Sequence, residues 1–287
     1  MYHPSQDLPL GKTVDYPSAY DAALLFPIAR AGARQEIGLN ATLLPFQGWD
    51  LWNAYEMSWL NSNGLPQVAM LRVKVPCTSP NIIESKSFKL YLNSFNQTRF
   101  DSSAEVLERL QKDLSQAAGA DLGIEMLSPH QFQAEEIAEF EGVNLDQQDV
   151  TIEHYAPNSQ LLSCVNAQSC ASSAINSACL ISETLFSRLL KSNCPVTQQP
   201  DWACLQIRYT GRPIDQAGLL KYIVSFRMHN GFHENCVERI FVDIMQQCHP
   251  ESLSVYARYT RRGGLDINPW RATPGMPEPS SVRSARQ

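Results

Sequence analysis

The feature that most limits how this chain can fold is an internal echo, in which residue types of the first half recur in order about 130 positions later. Lys89-Leu90-Tyr91 with Ser94-Phe95 faces Lys221-Tyr222 with Ser225-Phe226 at offsets of 131 or 132. Val106-Leu107-Glu108-Arg109-Leu110 faces Cys236-Val237-Glu238-Arg239-Ile240 at 130. Each match is weak alone, but preserved order at near-constant spacing marks a duplicated unit. In the first half, residues 51–60 and 67–75 read as strands around the Asn61-Ser62-Asn63-Gly64 turn. Residues 84–91 read as a helix. Asp101 or Ser102 then caps a second helix that carries Val106, Leu107, Leu110 and Leu114 on one face, and residues 123–127 form a strand. The second half offers a strand at 202–210, a turn at Gly211-Arg212-Pro213, an apolar stretch at 219–226, an amphipathic helix at 236–245 and a strand at 253–259. The pattern predicts two strand-strand-helix-helix-strand units in an α+β protein.

Between the units, from about 146 to 178, the chain turns small and polar without helical or strand period. This puts a linker at 151–180 between modules at 1–150 and 181–287. Residues 10–39 read as an ordered arm on the core, and the Pro-, Ser- and Gly-rich tail after Arg271 is expected to fray.

The chemistry is carried by a few residues. Residues 183–191 have helical spacing, which places Cys194 beyond a helix end, exposed by a turn, and Asp201 follows it seven residues later across a Pro-containing segment. Thiol and carboxyl brought to one pocket suit nucleophilic attack on an electrophilic carbon, with Asp201 as proton carrier, since a carboxylate does not favour a neighbouring thiolate. The plainer alternatives are a small buried hydrophobe and a turn carboxylate, and the first suits Cys204 and Cys236. His233-Glu234 opens the second module's amphipathic helix; the carboxylate can take the N–H edge of a purine-like base and the histidine can trade protons near neutrality. A simple helix cap is the competing account, and His229 and His249 read as surface or capping residues. Lys86, Lys89, Arg258, Arg261 and Arg262, with Gly263 and Gly264, concentrate positive charge of the kind a phosphate-bearing cofactor needs. No Gly-x-Gly-x-x-Gly or Walker-type loop is present, so that cofactor binds outside a Rossmann site.

Composition narrows the classes. A net charge of −6 argues against a direct grip on nucleic acid, and no apolar run reaches membrane-spanning length. Without a basic-then-apolar N-terminal segment the expected location is cytoplasmic, and the eight cysteines are expected as free thiols. No Cys-x-x-Cys or paired-histidine spacing supports a metal site, so none is expected.

Together with the stretch 190–202, the run Glu84-Ser85-Lys86-Ser87-Phe88-Lys89-Leu90-Tyr91 resembles the queuosine-pathway nitrile reductases, the 7-cyano-7-deazaguanine reductases, in their long two-module form. Leu10-Gly11-Lys12, Gly48-Trp49-Asp50, Trp52, Ala54-Tyr55-Glu56, Ser58-Trp59-Leu60 and residues 261–268 extend the likeness over nearly the whole chain, while 164–179 has no counterpart. The resemblance implies two tandem tunnelling-fold (T-fold) modules, antiparallel sheets with helices on one face, related to GTP cyclohydrolase I, in a homodimer. It implies reduction of a nitrile to an aminomethyl group with two NADPH, through a covalent thioimidate on Cys194. Asp201 and His233 would handle protons; Ile83, Glu84, Ser85, His233 and Glu234 would hold the deazapurine substrate; Ser85, Lys86, Arg262 and Gly263 would bind NADPH. Two readings stay beside it: a cysteine-dependent hydrolase or transferase without nicotinamide, and a non-catalytic base-binding module.

Overall fold

The computed structural model describes residues 17–40, 43–165 and 180–287. The start of the expected arm, with Leu10-Gly11-Lys12, and the heart of the linker at 166–178 lie outside the described residues. The first half runs β1 (Pro27–Ala29), α1 (Arg30–Glu36), β2 (Gln47–Leu60), β3 (Pro66–Pro76), β4 (Asn81–Ile83), α2 (Ser85–Ser94), α3 (Ser103–Ala118), β5 (Gly123–Leu127) and β6 (Val143–Asn144). The second runs β7 (Ile181–Asn193), β8 (Pro200–Gly211), α4 (Gln216–Ser225), α5 (His233–Cys248), β9 (Ser252–Tyr259) and β10 (Leu265–Ala272). Eight strands form one sheet in the order β5-β3-β2-β10-β9-β8-β7-β6, antiparallel except for the short β6–β7 pair. β1 and β4 form a separate two-stranded ribbon.

Alternation along each strand sends one set of side chains under the helices. In β3 these are Leu71, Val73 and Val75, packed with Phe88, Tyr91, Val106, Leu110 and Leu114 of α2 and α3. In β8 they are Ala203, Leu205, Ile207 and Tyr209, packed with Leu219, Ile223, Ile240 and Phe241 of α4 and α5. Each buried aliphatic or aromatic side chain contributes about 1.5–3 kcal/mol, so each half carries its own core. The opposite face buries Trp49, Phe140, Phe186, Tyr256 and Trp270.

The duplication extends to hydrogen bonds. Tyr91 Oη donates to Asp113 at 2.8 Å and Tyr222 Oη to Asp243 at 2.7 Å. The Ser94 hydroxyl donates to the Tyr91 carbonyl, and Ser225 to the Tyr222 carbonyl, both at 2.6 Å. Glu84 caps α2 and Asp215 caps α4. β2–β3 slips register between Ala54 and Met57, and β7–β8 slips between Ser187 and Leu190. The halves are joined by β10 pairing with β2 and by a buried ionic chain. In it Arg30 bonds Asp50 (2.6 Å), Arg271 bonds Asp50 (2.8 Å) and Glu238 (2.9 Å), and Arg34 bonds Glu238 (2.7 Å). The arginines hold both carboxyls below their usual range against the cost of burial.

Three expectations are corrected. Residues 183–191 belong to a strand, not a helix. The bulge after Ser187 inserts one extra residue into β7 and breaks its two-residue alternation, which makes the apolar spacing look helical. Asp146 satisfies the bulged backbone by accepting from the Arg188 amide at 3.1 Å. Cys194 is accordingly buried, 3% exposed, rather than displayed on a turn. The tail does not fray: the Ala138 amide donates to the Arg283 carbonyl at 2.8 Å, and Gln287 Nε2 donates to Asn268 Oδ1 at 2.7 Å. Gln287 thereby ties the chain end to the strand 265–272, and Arg283 ties the tail to residues 137–138.

Candidate active site

Cys194 and Asp201 are placed by the β7–β8 hairpin. Asn193 and Pro200 form its last pair, and the loop closes with the Cys194 amide donating to the Gln199 carbonyl at 2.9 Å and the Gln198 amide to the Cys194 carbonyl at 3.0 Å. Gln198 takes a left-handed conformation, φ 58°, to make this turn. Ser192 stands opposite Asp201, and since paired residues project to one face, Asp201 points to the helix side of the sheet. There Arg262 Nε lies 3.2 Å from Asp201 Oδ1 and His233 Nε2 lies 3.4 Å from Oδ2. Arg262 is tied further by donating from Nη1 to Gln199 Oε1 at 2.9 Å.

The second element is the start of α5. Its cap residue is Phe232, which makes no side-chain cap hydrogen bond, so the positive end of the helix dipole lies at His233 and Glu234. His233 stacks on Tyr259, ring centres 3.8 Å apart and 9° from parallel, which fixes the imidazole plane. Glu234 is buried, yet its Oε1 has no hydrogen-bond partner among the described residues, and neither has His233 Nδ1. Burial pushes the Glu234 carboxyl up to about 7; Asp50 adds to the shift while His233 and Arg30 oppose it. An orphaned buried carboxylate oxygen is costly, and a ligand donor would relieve it.

The third element comes from the other half. Ile83 and Ser85 bring the β4–α2 junction to the same wall. One cavity of about 30 Å³ is lined by Ile83, Ser85, Cys194, Asp201, His233, Glu234 and Arg262, together with Trp52, Ile82, Pro195, Gly231, Phe232 and Ile267. Seven of the sequence-selected residues therefore meet. Glu84, Lys86 and Gly263 are not among the residues that line the cavity. Glu84 Oε1 and Oε2 accept from the Lys86 and Ser87 amides, both at 2.7 Å, and burial raises its pKa against these bonds. Gly263, φ 58°, lies where a Cβ would come 3.3–3.4 Å from the Lys89 side chain. The cation cluster divides: Arg258 is buried on the other sheet face over Phe140 (4.1 Å) and Arg261 lies over Tyr55 (5.0 Å). His229 is half-buried, its pKa lowered to about 4 chiefly by burial and then by Arg239, while His249 ends α5 in a left-handed conformation.

Sequence reading missed Phe232, Gly231, Pro195 and Ile267. Phe232 and Gly231 adjoin His233 and Pro195 follows Cys194, so adjacency was the available signal; Ile267 sits on the strand that was not foreseen. Pro195, Gly231 and Phe232 also border a groove of about 590 Å³ on the outer side. Of the residues expected to hold the cofactor, Ser85 and Arg262 line the cavity, while the Lys89 side chain fills the space beside Gly263 and the Glu56 carboxylate that beside Gly264.

Residues 16–126 match the family described as "Nitrile reductase, 7-cyano-7-deazaguanine-reductase N-term", and residues 200–277 match "QueF-like protein". The NADPH-dependent 7-cyano-7-deazaguanine reductase of Bordetella avium is 58% identical over 99% of this chain and 100% of its own length. Those of Bordetella bronchiseptica and Burkholderia multivorans are 57% and 55% identical, each over 97% of this chain and 98% of the relative. The chain belongs to the NADPH-dependent 7-cyano-7-deazaguanine reductase family of oxidoreductases. No helix among the described residues is long and apolar enough to cross a membrane.

Proposed function

We propose that this protein reduces the nitrile of 7-cyano-7-deazaguanine to the aminomethyl group, on the route to the tRNA base queuosine, with Cys194 as nucleophile. The observation that carries the reading is the buried Glu234 carboxylate with a free oxygen in the same cavity as Cys194 and Asp201, a partner for the N–H edge of a deazapurine. Ile83, Ser85 and His233 complete the ring's surroundings, and Glu84 keeps a second lone pair on each oxygen for it. Cys194 sulfur bonds to the nitrile carbon as one C–N π bond breaks, and the nitrogen takes a proton through Asp201, which leaves a thioimidate. NADPH, when bound, supplies the hydrides, two for the four electrons between nitrile and amine. Between them the Cys194–carbon bond breaks and releases an imine, with His233 and Asp201 supplying the protons. Ser85, Lys86, Arg262 and Gly263 are the residues we assign to holding the cofactor, the cations meeting its phosphates.

The same reading takes the two units as tandem T-fold modules, related to GTP cyclohydrolase I, at 1–150 and 181–287 with a linker at 151–180. It takes the working form as a cytoplasmic homodimer that acts on a free base rather than on nucleic acid. The test is NADPH oxidation followed by absorbance with and without 7-cyano-7-deazaguanine, with the amine quantified. Two NADPH per amine, dependent on nitrile, is the expected result. Folded protein that consumes none and forms no adduct by mass would overturn the assignment.

A further inference from the structure

The two hairpin tips close with the same backbone bond. In the first copy the Asn61 amide donates to the Leu65 carbonyl at 3.0 Å, and in the second the Cys194 amide donates to the Gln199 carbonyl at 2.9 Å. Leu65 and Gln199 each stand directly before the proline that opens the return strand, Pro66 and Pro200, which biases both towards extended backbone. Neither feature calls for a glutamine. Any residue offers the carbonyl, and the first copy does this work with a leucine that is 63% exposed. What differs is the side chain: Gln199 Oε1 accepts from Arg262 Nη1 at 2.9 Å, while Asp201 Oδ1 lies 3.2 Å from Arg262 Nε. An arginine side chain that is 30% exposed would otherwise sample several rotamers, and ordering it costs entropy. Two acceptors at one hairpin end, residues 199 and 201, instead fix two of its three guanidinium nitrogens. Nη2 has no hydrogen-bond or ion-pair partner among the described residues.

We propose that Gln199 is a positioning residue for the cofactor: its side chain holds the Arg262 guanidinium against the hairpin that carries Cys194 and leaves Nη2, already ordered, for a phosphate group. The inference rests on the assignment of Arg262 to NADPH. A charged donor that is ordered in advance lowers the ordering cost at the moment an anion binds. One residue thereby keys both the backbone of the nucleophile, through its carbonyl, and the cofactor arginine, through its side chain.

The experiment measures NADP+ binding by calorimetry, without turnover, and melting temperature confirms each fold. Gln199→Leu places the first copy's residue at the tip, keeping the carbonyl and removing only the side-chain acceptor. Loss of a hydrogen bond to a charged group predicts about tenfold weaker NADP+ binding. Arg262→Met is the decisive background. There Gln199→Leu should have no further effect, because two residues that act through one contact are not additive. In steady-state turnover Gln199→Leu should raise KM for NADPH about tenfold and leave kcat within about twofold. Gln199→Met, which also lacks the acceptor, serves if the leucine variant does not fold. Unchanged NADP+ affinity in a folded variant, or equal weakening with and without Arg262, would overturn the proposal. If Arg262→Met itself leaves NADP+ affinity untouched, the assignment of Arg262 fails and the role of Gln199 falls with it. If the coupling is found but no nitrile is reduced, the proposed reaction fails while the role of Gln199 stands.

Discussion

At the hairpin tip of the first copy stands Asn61, whose side-chain oxygen accepts from the Asn63 and Leu65 amides and closes the turn. At the corresponding tip of the second copy, also the first residue past the last strand pair, stands Cys194. Next to the tips, Gln67 in one copy answers Asp201 in the other. The long helices differ in the same way: Ser102 caps α3 by accepting from the Glu105 amide at 3.2 Å, and Ser103 and Ala104 follow. α5 forgoes a side-chain cap and puts His233 and Glu234 at those positions. Yet Glu84 and Asp215 cap their helices alike, so the capping part of Glu84's work is structural in origin. One copy closes its loop and helix start with side-chain caps; the other puts Cys194, His233 and Glu234 at those positions.

The strongest way to break this contrast is at the tips. Cys194→Ala should lower nitrile-dependent NADPH oxidation by roughly a thousandfold or more, whereas Asn61→Ala should change it only a few-fold; equal effects in the absorbance assay would end the division of labour. The seam between the copies comes next. Arg271→Met strips a fully buried charge from between Asp50 and Glu238 and should cost about 3–5 kcal/mol in urea unfolding. Lys74→Met at the exposed Glu278 pair should cost at most about 1 kcal/mol.

Glu234→Gln should weaken deazapurine binding by about 10- to 100-fold in calorimetry, while Ala104→Gln at the equivalent helix position should not. Its pH signature has a definite sign. Because the folded-state pKa is raised to about 7 from 4.5, the group's contribution is full below 4.5 and is lost as pH rises through 7. Stability should therefore decline across that window, less steeply in Glu234→Gln, as followed by denaturant midpoints. The smallest effect concerns the tyrosine–carboxylate pairs. Tyr222→Phe should cost about 1 kcal/mol and Tyr91→Phe less, because Asp113 keeps a second donor in Tyr20.

Much of this contrast is legible in the sequence because it rests on near-neighbour relations. The turn before Leu65, the Ser102 cap, the amphipathic faces of α3 and α5 and the Glu84 run each depend on residues within one or two helical turns. β7 was not legible, since a bulge held by Asp146, about forty residues away, rewrites its alternation. The burial of Cys194 followed the same error.

By itself the sequence determined the duplicated order of elements and the residue types able to carry thiol chemistry, because periodicity and local capping are written in adjacent positions. Tertiary structure alone decided that Ile83 and Ser85 meet Cys194, that Glu234 keeps an unpaired oxygen there and that Lys89 borders Gly263. The first and last of these join segments more than a hundred residues apart, and the second spans forty. They arise from the pairing of β10 with β2 and the burial of both halves against one sheet, which no local pattern encodes.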